Sequence, residues 1–139
     1  MQLQDVLLCR PDHVVTLPPK TPLSQASAMM LLVGVDAIPV CEGPRILGIL
    51  SERDLATAIA LYGPELFSLS VGELMSGNVP RAAPGDAVSD VMRMMTQTRA
   101  RHIPIVEGEA VVGVVSIGDV RLAEKIQENA ALQHLARAA

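Results

Sequence analysis

Apolar residues recur along this chain in a fixed succession of spacings, and the succession is written twice. Leu23, Ala26, Met30 and Val33 stand three and four apart, as do Val88, Val91 and Met95, which predicts two helices with one buried face each. Each is followed by a short continuous apolar run carrying Ile-Pro, "AIPVC" at 37–41 and "HIPIV" at 102–106, the pattern of a strand. A Gly-bearing turn then leads into "RILGILS" at 45–51 and "VVGVVSI" at 111–117, so each pair of runs reads as a hairpin. Another helix follows, from Glu52 to about Tyr62, ended by Gly63-Pro64; its counterpart runs from about Ile117 to Arg137. Ahead of each first helix, "HVVTLP" and "NVPRAAP" read as short extended pieces that end at prolines.

A shift of 65 residues superposes the two halves without a gap from Val14 to Ala58. Val14/Val79, Pro19/Pro84, Ser24/Ser89, Met29/Met94, Met30/Met95, Ile38/Ile103 and Pro39/Pro104 are identical. So are Glu42/Glu107, Gly43/Gly108, Gly48/Gly113, Ser51/Ser116, Asp54/Asp119 and Ala58/Ala123. Unrelated sequences of ordinary composition would share about three positions over that length. The chain is a duplication, with residues 1–62 as the first copy, 63–77 as a linker bearing a helical turn at "SVGELM", and 78–139 as the second copy.

Each unit therefore reads β-α-β-β-α. About sixty residues leave an apolar sheet face open unless a second copy covers it. The expected fold is of the α/β (α+β) class, two repeats packed sheet to sheet about a pseudo-twofold axis.

Composition narrows the function. A net charge of -4 and two aromatic residues, Tyr62 and Phe67, argue against nucleic-acid or membrane-surface binding and against base stacking on rings. Charged residues make up 19 %, below the usual quarter, which leaves apolar surface for a partner. The start "MQLQDVLLCRPD" has neither a basic n-region nor a long apolar stretch, and no run approaches the ~20 residues of a membrane span, so a cytoplasmic location is expected. Cys9 and Cys41 do not form a Cys-x-x-Cys motif and read as reduced, buried thiols. His13 and His134 stand alone, and no metal site is expected. The methionines at 29, 30, 92, 94 and 95 read as adaptable core or dimer packing. Val120, Ala123, Ile126, Ala130 and Leu135 give the last helix an amphipathic pattern that can extend onto a partner.

The two signatures "AIPV…GILSERDL" and "HIPIV…GVVSIGDV", in this order and twice, make the chain resemble a tandem pair of CBS (cystathionine β-synthase) domains, a Bateman module standing alone. The resemblance covers essentially the whole chain. It implies a sensor of adenosine-containing ligands (AMP, ADP, ATP or S-adenosylmethionine) bound between the copies, commonly assembled as a homodimer in a four-domain disc. It implies no catalysis and no catalytic cofactor. A regulated protein on another chain would read the change in shape.

The residues suit such a ligand. Gly48 and Gly113 leave room for another backbone or a ligand to approach. Ser51 and Ser116 stand where helix amides begin to point outward and attract phosphate. Asp54 and Asp119, one turn in, can accept two hydrogen bonds from a ribose diol. Ile38-Pro39 and Ile103-Pro104, with Val15 and Val79, would form an apolar slot for adenine. The resemblance assigns phosphate contact to the residues two and three before the second proline, His102 and Arg101, and Arg53 lies between Ser51 and Asp54. The first copy has Asp36 in place of Arg101, so the two sites should not be equal. Two plainer readings stand beside these. Ser-x-x-Asp before a helix is also a capping box, and Arg99, Arg101 and Arg121 could form a solvated face. The alternative function is then a ligand-free structural dimerisation module. No nucleophile–base pair or Gly-rich phosphate loop points to an enzyme.

Overall fold

The computed structural model describes residues 1–8 and 14–138. Cys9 and His13 lie outside the described residues, as does the final residue of the second copy. The elements in order are α1 (Leu3–Leu8), α2 (Leu23–Val33), β1 (Ala37–Glu42), β2 (Arg45–Ser51), α3 (Glu52–Tyr62), a 3-10 turn (Gly63–Ser68), α4 (Val71–Leu74), α5 (Val88–Thr98), β3 (His102–Glu107), β4 (Ala110–Ser116) and α6 (Ile117–Ala138).

β1 pairs with β2 and β3 with β4, both antiparallel, and both hairpins carry a bulge at the same place, between Val40 and Cys41 and between Ile105 and Val106. Gly43 and Gly108 supply the positive φ that turns this tight need (59° and 64°). The extended pieces ahead of α2 and α5 are not full strands. Each adds a single parallel rung, Leu17 to Val40 and Ala82 to Ile105. The reason is local: Pro18 and Pro19, and Pro80 and Pro84, cannot donate to a ladder.

Alternation along the hairpins sends Ile38, Val40 and Leu50 into one core with Leu23, Ala26 and Met30 of α2. Ile103, Ile105 and Val115 enter a second core with Val88, Val91 and Met95 of α5. The two hairpins meet on their other faces, β4 against β1 and β2. The result is the expected pair of repeats, sheet to sheet about a pseudo-twofold.

The connections cross. Helix α1 precedes the first repeat but docks on the second: Leu3 N donates to Asp86 O (3.0 Å) and Gln4 N to Pro84 O (2.8 Å), and Leu3 is fully buried in the second core. Helix α4, in the linker, docks on the first repeat: Val71 N donates to Thr21 O (2.9 Å) and Gly72 N to Pro19 O (2.8 Å), with Val71 fully buried. Their ends are built alike, with Asp5 accepting from Gln2 N (2.9 Å) and Glu73 from Ser70 N (3.1 Å). Each repeat is thus completed by a helical clip that sits ahead of the other in sequence. Among the described residues, no helix is long and apolar enough to cross a membrane.

Candidate functional site

The glycine and Ser-x-x-Asp of each signature lie where β2 passes into α3 and β4 into α6. Ser51 is the N-cap of α3, with Asp54 N donating to Ser51 Oγ (3.2 Å) and Asp54 Oδ2 accepting from Ser51 N (2.8 Å). The second repeat repeats it: Asp119 N donates to Ser116 Oγ (3.1 Å) and Asp119 Oδ2 accepts from Ser116 N (2.9 Å). Both motifs are capping boxes. In the first, the other carboxylate oxygen, Asp54 Oδ1, accepts from Ser76 Oγ at 3.2 Å. Ser76 is exposed and belongs to the linker, whose backbone bridges Ile49.

The room left by the two glycines is taken by the chain itself. A Cβ on Gly48 would strike the Ser76 carbonyl, and one on Gly113 would strike the end of the Leu7 side chain. The clips therefore reach the strands at equivalent points, Met75 beside Gly48 and Leu7 beside Gly113.

Two clefts open between the repeats. The first, of about 400 Å³, is lined by Leu7, Val14, Val15, Val33–Ala37, Pro39, His102, Val112–Val114 and Ser116. The second, of about 310 Å³, is lined by Asp36, Ile49, Ser51, Glu52, Arg53, Asp54, Ser76, Val79 and Arg99–His102. Asp36 and His102 are shared by both. His102 Nε2 lies 3.1 Å from Asp36 Oδ1, yet it is buried and off the alignment a hydrogen bond requires, so its hydrogen-bonding capacity is unused.

The second cleft brings together Ser51, Arg53, Asp54, Val79, Arg101 and His102, all singled out from the sequence. Val15, Pro39 and Ser116 line the first. Ile38 and Ile103, expected in an apolar slot, are instead fully buried in the two cores, because strand alternation turns them away from the face that Pro39 occupies. Pro104 and Asp119 line neither of these two clefts. Sequence reasoning missed Ser76 and the lining role of Arg99. The signal for Ser76 was the unaligned linker, and that for Arg99 its register with Gly34.

Elsewhere, burial pushes the Cys41 thiol up from its ordinary value. Among the described residues, no three His, Cys, Asp or Glu side chains gather as a metal site would need.

Residues 5–61 and 71–125 each match the family model "CBS domain". The chain belongs to the CBS domain family. It is 31 % identical over 118 residues to the CBS domain-containing protein YhcV of Bacillus subtilis, covering 85 % of this chain and 84 % of that protein. The crystal structure of a CBS-domain containing protein from Agrobacterium tumefaciens has a TM-score of 0.82 at 32 % identity, over 89 % of this chain and 99 % of the other. The CBS domain pair of protein MJ0100, solved in complex with 5'-methylthioadenosine and S-adenosyl-L-methionine, shares the fold at a TM-score of 0.79 and 20 % identity, over 91 % and 98 % of the two chains. A CBS pair of this kind is a regulatory module.

Proposed function

We propose that this CBS pair senses an adenosine-containing ligand held in the second cleft and passes the resulting change in shape to a separate protein. The observation that carries the reading is Asp54. Its Oδ2 is spent on the helix cap, while among the described residues Oδ1 meets only an exposed serine hydroxyl at the cleft, a bond that a ribose diol can replace. Val79 and Ile49 supply apolar wall, and Arg53, Arg101 and Ser51 supply groups suited to phosphate. The fold shared with the MJ0100 pair and its two adenosyl ligands supports the same reading. A nucleotide can move the angle between repeats only by its differential affinity for the two states. The module works in the cytoplasm without a catalytic step.

It works as a homodimer. Leu31 and Leu32 at the end of α2 are more than four-fifths exposed, and Ile59, Leu61, Leu122 and Ile126 on α3 and α6 are at least half exposed, a large apolar outlay for helices facing water.

The test is thermal shift with AMP, ADP, ATP, S-adenosylmethionine and NAD, followed by calorimetry on Asp54→Asn and Asp119→Asn. Asparagine keeps a capping oxygen but loses the carboxylate. A ligand that raises melting in the parent chain and is lost in Asp54→Asn alone supports the reading; no response across the panel at millimolar concentration sinks it. A second reading, a structural dimerisation module, is favoured by both carboxylates sitting in capping boxes. It requires a dimer that no member of the panel stabilises.

A further inference from the structure

The two clefts differ most where α2 and α5 end. At the close of α2, Gly34 turns the chain with φ 77°, in the left-handed region that glycine enters without penalty. At the equivalent place after α5 stands Arg99, with φ 59° and ψ 21°. Among the described residues it is the one non-glycine with positive φ. An L side chain adopts this conformation only at a cost, because its Cβ crowds the following carbonyl. Glycine in the sister repeat shows that the turn itself does not call for arginine. Thr98 Oγ1 already accepts from Ala100 N (3.4 Å) across the turn. The Arg99 side chain is exposed, and no ion pair or hydrogen bond holds its guanidinium among the described residues. What Arg99 does have is a place on the wall of the second cleft, with Arg53 from the start of α3 and Arg101 from the approach to β3.

We infer that the second cleft takes a ligand bearing a chain of two or three phosphoryl groups, and that Arg99 is kept in its strained turn to complete, with Arg53 and Arg101, the set of guanidiniums that grips it. Guanidiniums contributed by two separate segments, Arg99 and Arg101 from the turn after α5 and Arg53 from the start of α3, suit oxygens spread along a polyphosphate better than the single cluster of a monophosphate, since each planar fork engages two oxygens at once. Three acids share that wall: Asp54, which accepts from its cap and from Ser76, Asp36, which lies against His102, and Glu52. The grip therefore rests on guanidinium forks meeting phosphoryl oxygens and not on an excess of positive charge. The first cleft presents Gly34, Val35, Asp36 and Ala37 at the positions of Arg99, Ala100, Arg101 and His102, and takes no such chain. The adenosine at the end of that chain rests on the proposed function above; the phosphate chain does not.

The experiment is calorimetric titration of the parent chain, Arg99→Gly and Arg93→Ala with ATP, AMP and inorganic tripolyphosphate at constant ionic strength. Arg93 lies on α5 and pairs with Asp90 outside the cleft, so it controls for the loss of one positive charge. Arg99→Gly is expected to melt no lower than the parent and to bind ATP and tripolyphosphate about tenfold more weakly, with AMP changed by about twofold or less. Arg93→Ala should change none of these. Unaltered polyphosphate binding in Arg99→Gly overturns the inference, as does a parent chain that prefers AMP to ATP or binds neither ATP nor tripolyphosphate. A variant melting several degrees lower also overturns it, since the arginine would then serve the fold. Should tripolyphosphate bind, weaken in Arg99→Gly, and gain nothing from an attached adenosine, the phosphate site stands and the adenosine reading falls.

Discussion

The two clefts are built on one backbone plan and differ in what lines it. In the first, the turn after α2 contributes Gly34, Val35, Asp36 and Ala37; in the second, the turn after α5 contributes Arg99, Ala100, Arg101 and His102. The strand-to-helix corners that face them carry the same Ser-x-x-Asp caps at matching distances. Duplication thus preserved the parts that hold the fold and released the four residues that give each cleft its chemistry. The first became mainly aliphatic, whereas the second gathered charges of both signs.

The crossed clips offer the most forceful way to test that the halves are equivalent yet interlocked. Leu3 and Val71 occupy corresponding, fully buried positions, each in the core of the repeat it does not precede. Leu3→Ala is expected to cost about 2–5 kcal/mol, the range for emptying a buried leucine site. Val71→Ala should cost less, in proportion to the smaller volume removed. Hydrogen exchange decides the crossing. Leu3→Ala should expose amides of β3 and β4 first, and Val71→Ala those of β1 and β2. Loss of protection in β1 and β2 on Leu3→Ala would contradict the docking described here.

A smaller effect separates the two signature glycines. Gly48 faces the Ser76 carbonyl, a backbone atom held by the Ile49–Ser76 bridge, whereas Gly113 faces the flexible end of Leu7. Gly48→Ala should therefore cost about 1–3 kcal/mol by overpacking. Gly113→Ala should cost less, because Leu7 can rotate away. Chemical denaturation of the two variants side by side checks the ranking, and equal losses would show that α1 is held as firmly as the linker.

The hairpins, the main helices and the twofold plan were legible because each rests on local periodicity that the duplication repeats. "AIPVC…RILGILS" alternates correctly and closes on Gly43, so strand, turn and partner lie within fifteen residues. Helix α1 was not legible. Six residues do not sustain a helix by propensity, and "LQDVLL" gains its order from Asp86 and Pro84, some eighty positions away. A separation of 22 residues hid Ser76, whose hydroxyl reaches Asp54 only because the linker runs back along β2. Ile38 and Ile103 were misplaced for a different reason. Ile-Pro marks both faces of one strand, and the sequence alone does not say which face looks into a cleft.

The caps give the next and gentler comparison. Removing either carboxylate, by Asp54→Ala or Asp119→Ala, unties one backbone amide at a helix start and should cost about 1 kcal/mol in each repeat. Thermal unfolding of the two variants should therefore look alike. Ligand binding should not, because only Asp54 lines the second cleft. Equal loss of affinity in both would mean that the clefts act as one site.

The smallest effect comes from Cys41, which sits at the bulge of the first hairpin where the second has Val106. Cys41 is 8 % exposed, and burial alone drives its thiol upward, since the thiolate would lose its water. A folded pKa above the unfolded one means that the native chain holds its proton longer. The associated stability is complete below the unfolded value near 9.0 and is lost as pH rises through the folded one. Cys41→Val, which makes the first bulge match the second, removes this dependence while keeping an apolar side chain of similar size. With Cys9→Ser as common background, so that one thiol is compared with none, denaturation from pH 8 to pH 10 should show the cysteine form losing stability relative to the valine form. Parallel curves over that interval would mean that the thiol ionises in the native hairpin as readily as in the unfolded chain, and that the bulge admits the water its burial excludes.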